Sequence, residues 1–184
     1  MTLPEKYKWI EDVGVLPKLI ASGLQYLGVK EIPGVENNPV IMDMAKGLGV
    51  SDIYTNDDQS WCAVFINHLI RITGKPIDLK PKDRYDLLRA LKTAPLFNFV
   101  PKDDWVFGDV IKIKRPGGGH VFLAIAKTPT GIIGLGGNQS NMVTFSEFDI
   151  NRIVEVRRFY KTEMPASCKQ YKMSSTGQLS VNES

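Results

Sequence analysis

The stretch from Trp61 to Thr73 most constrains how this chain can fold. It reads Trp-Cys-Ala-Val-Phe-Ile-Asn-His-Leu-Ile-Arg-Ile-Thr, and apolar residues occupy most of its helical circumference. Trp61, Phe65 and Leu69 form one stripe at i, i+4 and i+8. A helix that is apolar nearly all round is stable only when other elements surround it. The spacing therefore predicts a central buried helix running to about Thr73, with Gly74 as the residue that stops it. A chain of 184 residues can build one domain around such a helix and little more.

The flanking pattern supplies the surrounding elements. Leu16, Leu19, Ile20, Leu24 and Leu27 recur at helical spacing, with Pro17 suited to a first turn and Gly28 to a stop. Asn38-Pro39 predicts a second helix carrying Ile41, Met42, Met44 and Ala45, ended by Gly47 to Gly49. The polar run before Trp61 offers Asp57, Asp58 and Ser60 as caps for the central helix. A short helix is expected over Arg84–Lys92 and a loop over Pro95–Pro101. Strands are expected at Asp109–Lys114, His120–Ala126, Ile132–Leu135 and Ile153–Phe159, the first two joined by the hairpin signal Pro116-Gly117-Gly118-Gly119. Helices followed by sequential antiparallel strands make an α+β domain, with the helices on one side of the sheet. Residues 1–14 read as a partly packed leader anchored by Trp9, 15–160 as the domain, and 161–184 as a flexible polar tail.

Composition narrows the function classes. A net charge of +3 is too weak to argue for nucleic acid, although a mildly basic chain suits an acidic polymer. No stretch approaches the ~20 apolar residues of a membrane span, so membrane insertion is not expected. Met1–Asp12 has scattered charges and no apolar segment, which argues against a secretory signal and for synthesis in the cytoplasm. Cys62 and Cys168 are the only cysteines and His68 and His120 the only histidines, too few and too scattered for a zinc site or a disulfide framework. The Gly117–Gly119 run joins strands and is not followed by Gly-Lys-Ser/Thr, so it is no phosphate loop. Neither metal nor cofactor is expected.

The chemistry gathers around Cys62. It falls in the first turn of the central helix, where the partial positive charge of a helix N-terminus favours a thiolate. His120 opens a strand and is the candidate base that takes the thiol proton and returns it to a leaving amine. His68 cannot serve the thiol: six residues on, it points ~120° away and lies ~9 Å further along the axis; it reads as a partly exposed helix residue. Asn138, in Gly136-Gly137-Asn138-Gln139-Ser140, is a candidate to orient the imidazole, with Gln139 and Asn141 as alternatives. Gln59 or the Cys62 backbone N–H would serve an oxyanion, and Asp58, Trp61 and Gln139 complete the candidate substrate-binding set. Each residue also has a purely structural reading: Cys62 as a small core residue, His120 as a strand end, Asn138 as a turn residue, and Asp57 and Asp58 as caps.

Five pieces in order carry a resemblance. They are Gly28-Val29-Lys30-Glu31-Ile32-Pro33-Gly34, Trp61-Cys62-Ala63-Val64-Phe65-Ile66-Asn67, Gly108-Asp109-Val110, Gly119-His120-Val121 and Leu135-Gly136-Gly137-Asn138-Gln139-Ser140-Asn141. Together, over roughly residues 16–159, they resemble the papain-like cysteine peptidases that cut bacterial peptidoglycan, close to the CHAP amidases and NlpC-type endopeptidases. The resemblance implies a papain-like domain with Cys62 as nucleophile, His120 as base and acid, and Asn138 as third member. It implies hydrolysis of a wall amide, within the stem peptide or between muramic acid and L-alanine. The expected settings are a phage endolysin released with a membrane-opening holin, or an exported antibacterial effector paired with an immunity protein. Rival expectations are an acyl transferase or deamidase with the same residues, and a non-catalytic wall-binding or virion structural module.

Overall fold

A computed structural model describes residues 2–74 and 98–180. The short helix expected over Arg84–Lys92 lies outside the described residues. The chain begins with a 3₁₀ helix at Glu5–Asp12, followed by α1 (Lys18–Leu24), α2 (Pro39–Gly47) and α3 (Cys62–Ile72). Six strands follow: β1 (Asn98–Phe99), β2 (Val110–Arg115), β3 (Gly118–Lys127), β4 (Gly131–Gln139), β5 (Met142–Asp149) and β6 (Ile153–Arg158). They form one sheet in the order β1-β6-β2-β3-β4-β5, and every neighbouring pair is antiparallel. The fold is α+β, as the order of elements predicts.

The helix boundaries follow the sequence signals closely. Asn38 caps α2 by accepting from the Val40 N–H at 2.9 Å, with Pro39 in the first turn. Gly28, Gly49 and Gly74 adopt positive φ at the ends of the three helical segments. Two strand expectations need correction. Asn98-Phe99, within the expected Pro95–Pro101 loop, pairs with β6. β5 was not expected at all, because Thr144, Ser146 and Glu147 make its composition polar; its signal was the alternation of Val143 and Phe145 with those residues.

Strand alternation sorts the side chains into two cores. Val121, Leu123 and Ile125 of β3, Ile133 and Leu135 of β4 and Val143 of β5 share one core with α1, α2 and α3. Ile111, Ile113, Phe122, Ala124, Ile132 and Phe148 form a second core on the other face with Trp105, Ile153 and Val156. The Phe122 and Phe148 rings stack there at 4.4 Å. α3 is buried from Cys62 to Ile70, as its apolar circumference requires. It sits so close to β4 that a Cβ on Gly137 would lie 2.6 Å from the Trp61 ring and 2.7 Å from Phe65.

The two ends of the described chain pack firmly, which corrects the expectation of a loose tail. Leu3, Tyr7 and Ile10 of the leader are buried, and Tyr7 stacks on Phe145 at 3.9 Å. Trp9, the expected anchor, packs against Phe107 and Tyr171, joining residues from both ends in one aromatic cluster. Beyond Lys161, the backbone pairs with the sheet through Lys127 N–H to Tyr171 O and Met173 N–H to Lys127 O, both 2.8 Å. Cys168 is buried.

The last described residues are held by one carboxylate. Glu147 accepts from Thr128 Oγ1, from Thr130 Oγ1 and Ser175 Oγ at 3.0 Å, and from the N–H and hydroxyl of Thr176. Burial pushes this carboxyl up, but the hydrogen bonds outweigh it and hold its pKa at about 2. Its contribution to stability is therefore fully present above the ordinary carboxylate pKa near ~4.3 and is lost as pH falls towards about 2. We expect Glu147→Gln to cost about 1–3 kcal/mol and to expose the Lys172 bond to trypsin. Thermal melts at pH 7 and limited proteolysis check this, and the stability gap between variant and wild type should shrink below pH 4.

Candidate functional site

Cys62 is the first residue of α3, and the residue before it, Trp61, provides no side-chain cap. None of the three expected caps acts on this helix. Asp57 is buried and accepts instead from the N–H groups of Ile32 at 3.0 Å and Asn38 at 2.7 Å, tying the Glu31–Gly34 turn to the start of α2. Ser60 Oγ accepts from Arg115 Nη2 at 3.1 Å. Asp58 is exposed. Backbone N–H groups of Val121, Ala63 and Cys62 lie close enough to the Cys62 sulfur to favour its ionised form.

These donors and the nearby Arg115 guanidinium favour a thiolate. Complete burial acts against them and is the larger effect, so the thiol stands above its ordinary pKa. The helix N-terminus alone does not produce the depressed pKa anticipated for an exposed nucleophile. A buried thiol in this state is protonated at neutral pH and needs a base before it can attack.

His120 lies in β3, opposite Ile113 of β2. Its ring is fully buried on the second-core face, 5.3 Å from the Phe148 ring and 5.9 Å from the Phe122 ring. Its Nε2 is 3.2 Å from Gln139 Oε1. The Gln139 amide nitrogen is committed to the carbonyls of Thr144 at 2.5 Å and Gly134 at 3.3 Å, so its oxygen must face the ring. An amide oxygen only accepts. The ring therefore carries its proton on Nε2, and Nδ1 is its basic nitrogen.

The side chain that bonds the His120 ring is thus Gln139, one of the two alternatives to Asn138. The reason is a backbone irregularity. β4 and β5 lose regular pairing between Gly136 and Gln139, and Asn138 takes φ 56°. This turns Gln139 onto the His120 face. Asn138 is 1% exposed, and neither its amide nitrogen nor its oxygen has a hydrogen-bond partner among the described residues. Asn141, the other alternative, also has positive φ and gives its carbonyl to the Glu31 N–H at 2.9 Å.

The structure brings Cys62 to the backbone at Val121, one residue from His120, where described β3–β4 pairing has not yet begun. It does not join thiol and imidazole. The sulfur belongs to the helix-side core, whereas the ring belongs with Phe122 and Phe148. His68 is also corrected: it is buried, bonds Tyr26 Oη through Nε2 at 2.7 Å, and has its pKa lowered by burial to about 4.

The remaining candidates have structural partners. Gln59 Oε1 accepts from the Thr55 and Asn56 N–H groups and its nitrogen reaches the Ile53 carbonyl, so its side chain holds its own loop. Trp61 is buried and donates from Nε1 to Glu31 Oε1 at 2.8 Å. Glu31 is pushed up by burial and by the neighbouring Asp57 and Asp58, against the Trp61 hydrogen bond. It borders a groove of about 360 Å³ between the Glu31–Gly34 turn and Ser140–Met142, with Asp58 on its rim. Sequence reasoning missed Glu31 and Arg115 as neighbours of the site. Their signals were a carboxylate in the Glu31-Ile32-Pro33-Gly34 turn and a cation at the tip of the β2–β3 hairpin.

No protein-family model matches the chain, and no curated protein is found to match it. The burial of the thiol has a direct consequence. At pH 7, Cys62 in the folded protein should react with iodoacetamide at least ~10-fold more slowly than in denaturant-unfolded protein. Mass mapping of the Cys62 peptide reads this, and equal rates would refute the buried, protonated state.

Proposed function

We propose that this chain is a papain-like, cysteine-dependent hydrolase of an amide bond in bacterial peptidoglycan. The observation that carries the proposal is the placement of the Cys62 thiol at the N-terminus of α3, beside the β3 backbone at Val121, the residue after His120. The choice of substrate rests on the resemblance of the five motif pieces. In the reaction, Nδ1 of His120 takes the Cys62 proton and the sulfur attacks the amide carbonyl. The N–H groups at the start of α3 stabilise the oxyanion. The protonated ring then gives its proton to the leaving amine. A water deprotonated by the same ring releases the acyl group from sulfur. Gln139 sets the Nε2–H tautomer of the resting ring. A phage endolysin and an exported effector both fit this reading.

One observation favours a second reading. The ring is packed with Phe122 and Phe148, and the sulfur lies in the helix-side core. A non-catalytic wall-binding or virion structural module would tolerate that separation, whereas catalysis requires the ring to swing to the sulfur.

The two readings part on purified peptidoglycan analysed by mass spectrometry. The hydrolase reading expects new stem-peptide or glycan ends with wild type and none with Cys62→Ala. His120→Ala should lose about 10²–10⁴-fold in rate. Gln139→Ala should lose more than Asn138→Ala, because only Gln139 touches the ring. Intact peptidoglycan from more than one wall type, with folded wild-type protein, would remove the hydrolase reading.

A further inference from the structure

We propose that Arg115 is a positioning residue for the Cys62 sulfur: the hairpin tip delivers its guanidinium to the start of α3, where it stabilises the thiolate form. The inference rests on the reading of Cys62 as the nucleophile. Its geometric basis is the β2–β3 turn. Arg115 pairs with Gly118 across the turn, and Gly117 takes φ 78°, the conformation a tight Pro-Gly turn requires at its second central residue. This turn fixes Arg115 at the end of β2, next to the strand that carries His120 and Val121. The side chain then crosses to α3 and donates from Nη2 to Ser60 Oγ, two residues before Cys62. Ser60 is spared from capping the helix and acts as the anchor for the cation.

The charge inventory around the sulfur supports the assignment. Among the described residues, two side chains from the packed elements act electrostatically on it: Tyr54 from the loop after α2 and Arg115 from β2, while the His120 ring packs with Phe122 and Phe148 on the other face. Tyr54 is pushed above its ordinary range, first by burial and then by neighbouring negative charges, so it brings no positive charge. Arg115 brings a permanent positive charge to the sulfur. An opposite charge near a thiol favours the ionised form by an amount that depends on its distance and burial. The guanidinium thus acts against the cost of burying the sulfur's charge.

The test reads the thiol directly and does not depend on which substrate the protein cleaves. The alkylation rate of Cys62 is measured from pH 6 to 10.5 by mass mapping of its peptide in the folded, full-length protein. Arg115→Gln should move the profile up by about one pH unit, a ~10-fold slower reaction at any pH below the midpoint. Arg115→Lys keeps the charge and should stay within about threefold of wild type. A Gln variant that melts like wild type and shows an unshifted profile overturns the proposal, as does a Lys variant that shifts as far as Gln. If the Gln variant does not fold, Ser60→Ala decides. Releasing the guanidinium from its anchor should shift the profile upward, and an unshifted profile in the folded variant overturns the proposal. Wall digestion by the same samples is scored separately, so loss of the hydrolase reading leaves the thiol result standing.

Discussion

The close seating of α3 on β3 and β4 is the constraint on which the rest of the molecule depends. An all-round apolar helix must be enclosed, and α1, α2 and the sheet enclose it. The contact is near enough that position 137 has no room for a side chain. That proximity brings the first turn of α3, with the Cys62 sulfur, against the β3 backbone at Val121. Filling the space at 137 would force the helix away from the sheet. Packing and chemistry at this site therefore have one origin, and a cysteine in the first turn is there whether it serves as nucleophile or as a small core residue.

The second core explains why the imidazole is held as it is. Its face of β3 is lined by His120, Phe122 and Ala124, and the ring joins an aromatic group that includes Phe148. Gln139 reaches that face only because the chain makes a left-handed step at Asn138. The left-handed step also leaves the Asn138 amide buried without a hydrogen-bond partner among the described residues, an energetic cost of the kind that recurs where backbone is shaped for a task. Asn138, Ser140 and Asn141 all adopt left-handed φ in the β4–β5 connection, without glycine at those positions.

Much of this was legible in the residues. The helix ends were, because Asn38-Pro39, Gly28 and Gly74 act locally, within a turn of where they stand. So were the β2–β3 hairpin and the identity of the central helix. What failed depended on partners distant in sequence. Asp57 looked like a cap for α3, but the N–H groups of Ile32 and Asn38, about 20 residues earlier, capture it. Alternation showed that His120 and Val121 point to opposite faces, but nothing local said which face receives α3. The choice between Asn138 and Gln139 turned on one backbone angle. The polar composition after Lys161 suggested a loose tail, whereas serine and threonine there find a buried carboxylate to bond.

The aromatic cluster of Trp9, Phe107 and Tyr171 has a consequence for how the molecule is made. Trp9 leaves the ribosome well before Tyr171, and it cannot complete its packing until Tyr171 has emerged. At ~5–20 residues per second that wait is on the order of ten seconds. Throughout it, the nascent chain carries Leu3, Tyr7, Trp9 and Ile10 without part of their cover. The leader is thus a segment through which a chaperone would hold the chain until Tyr171 has been made.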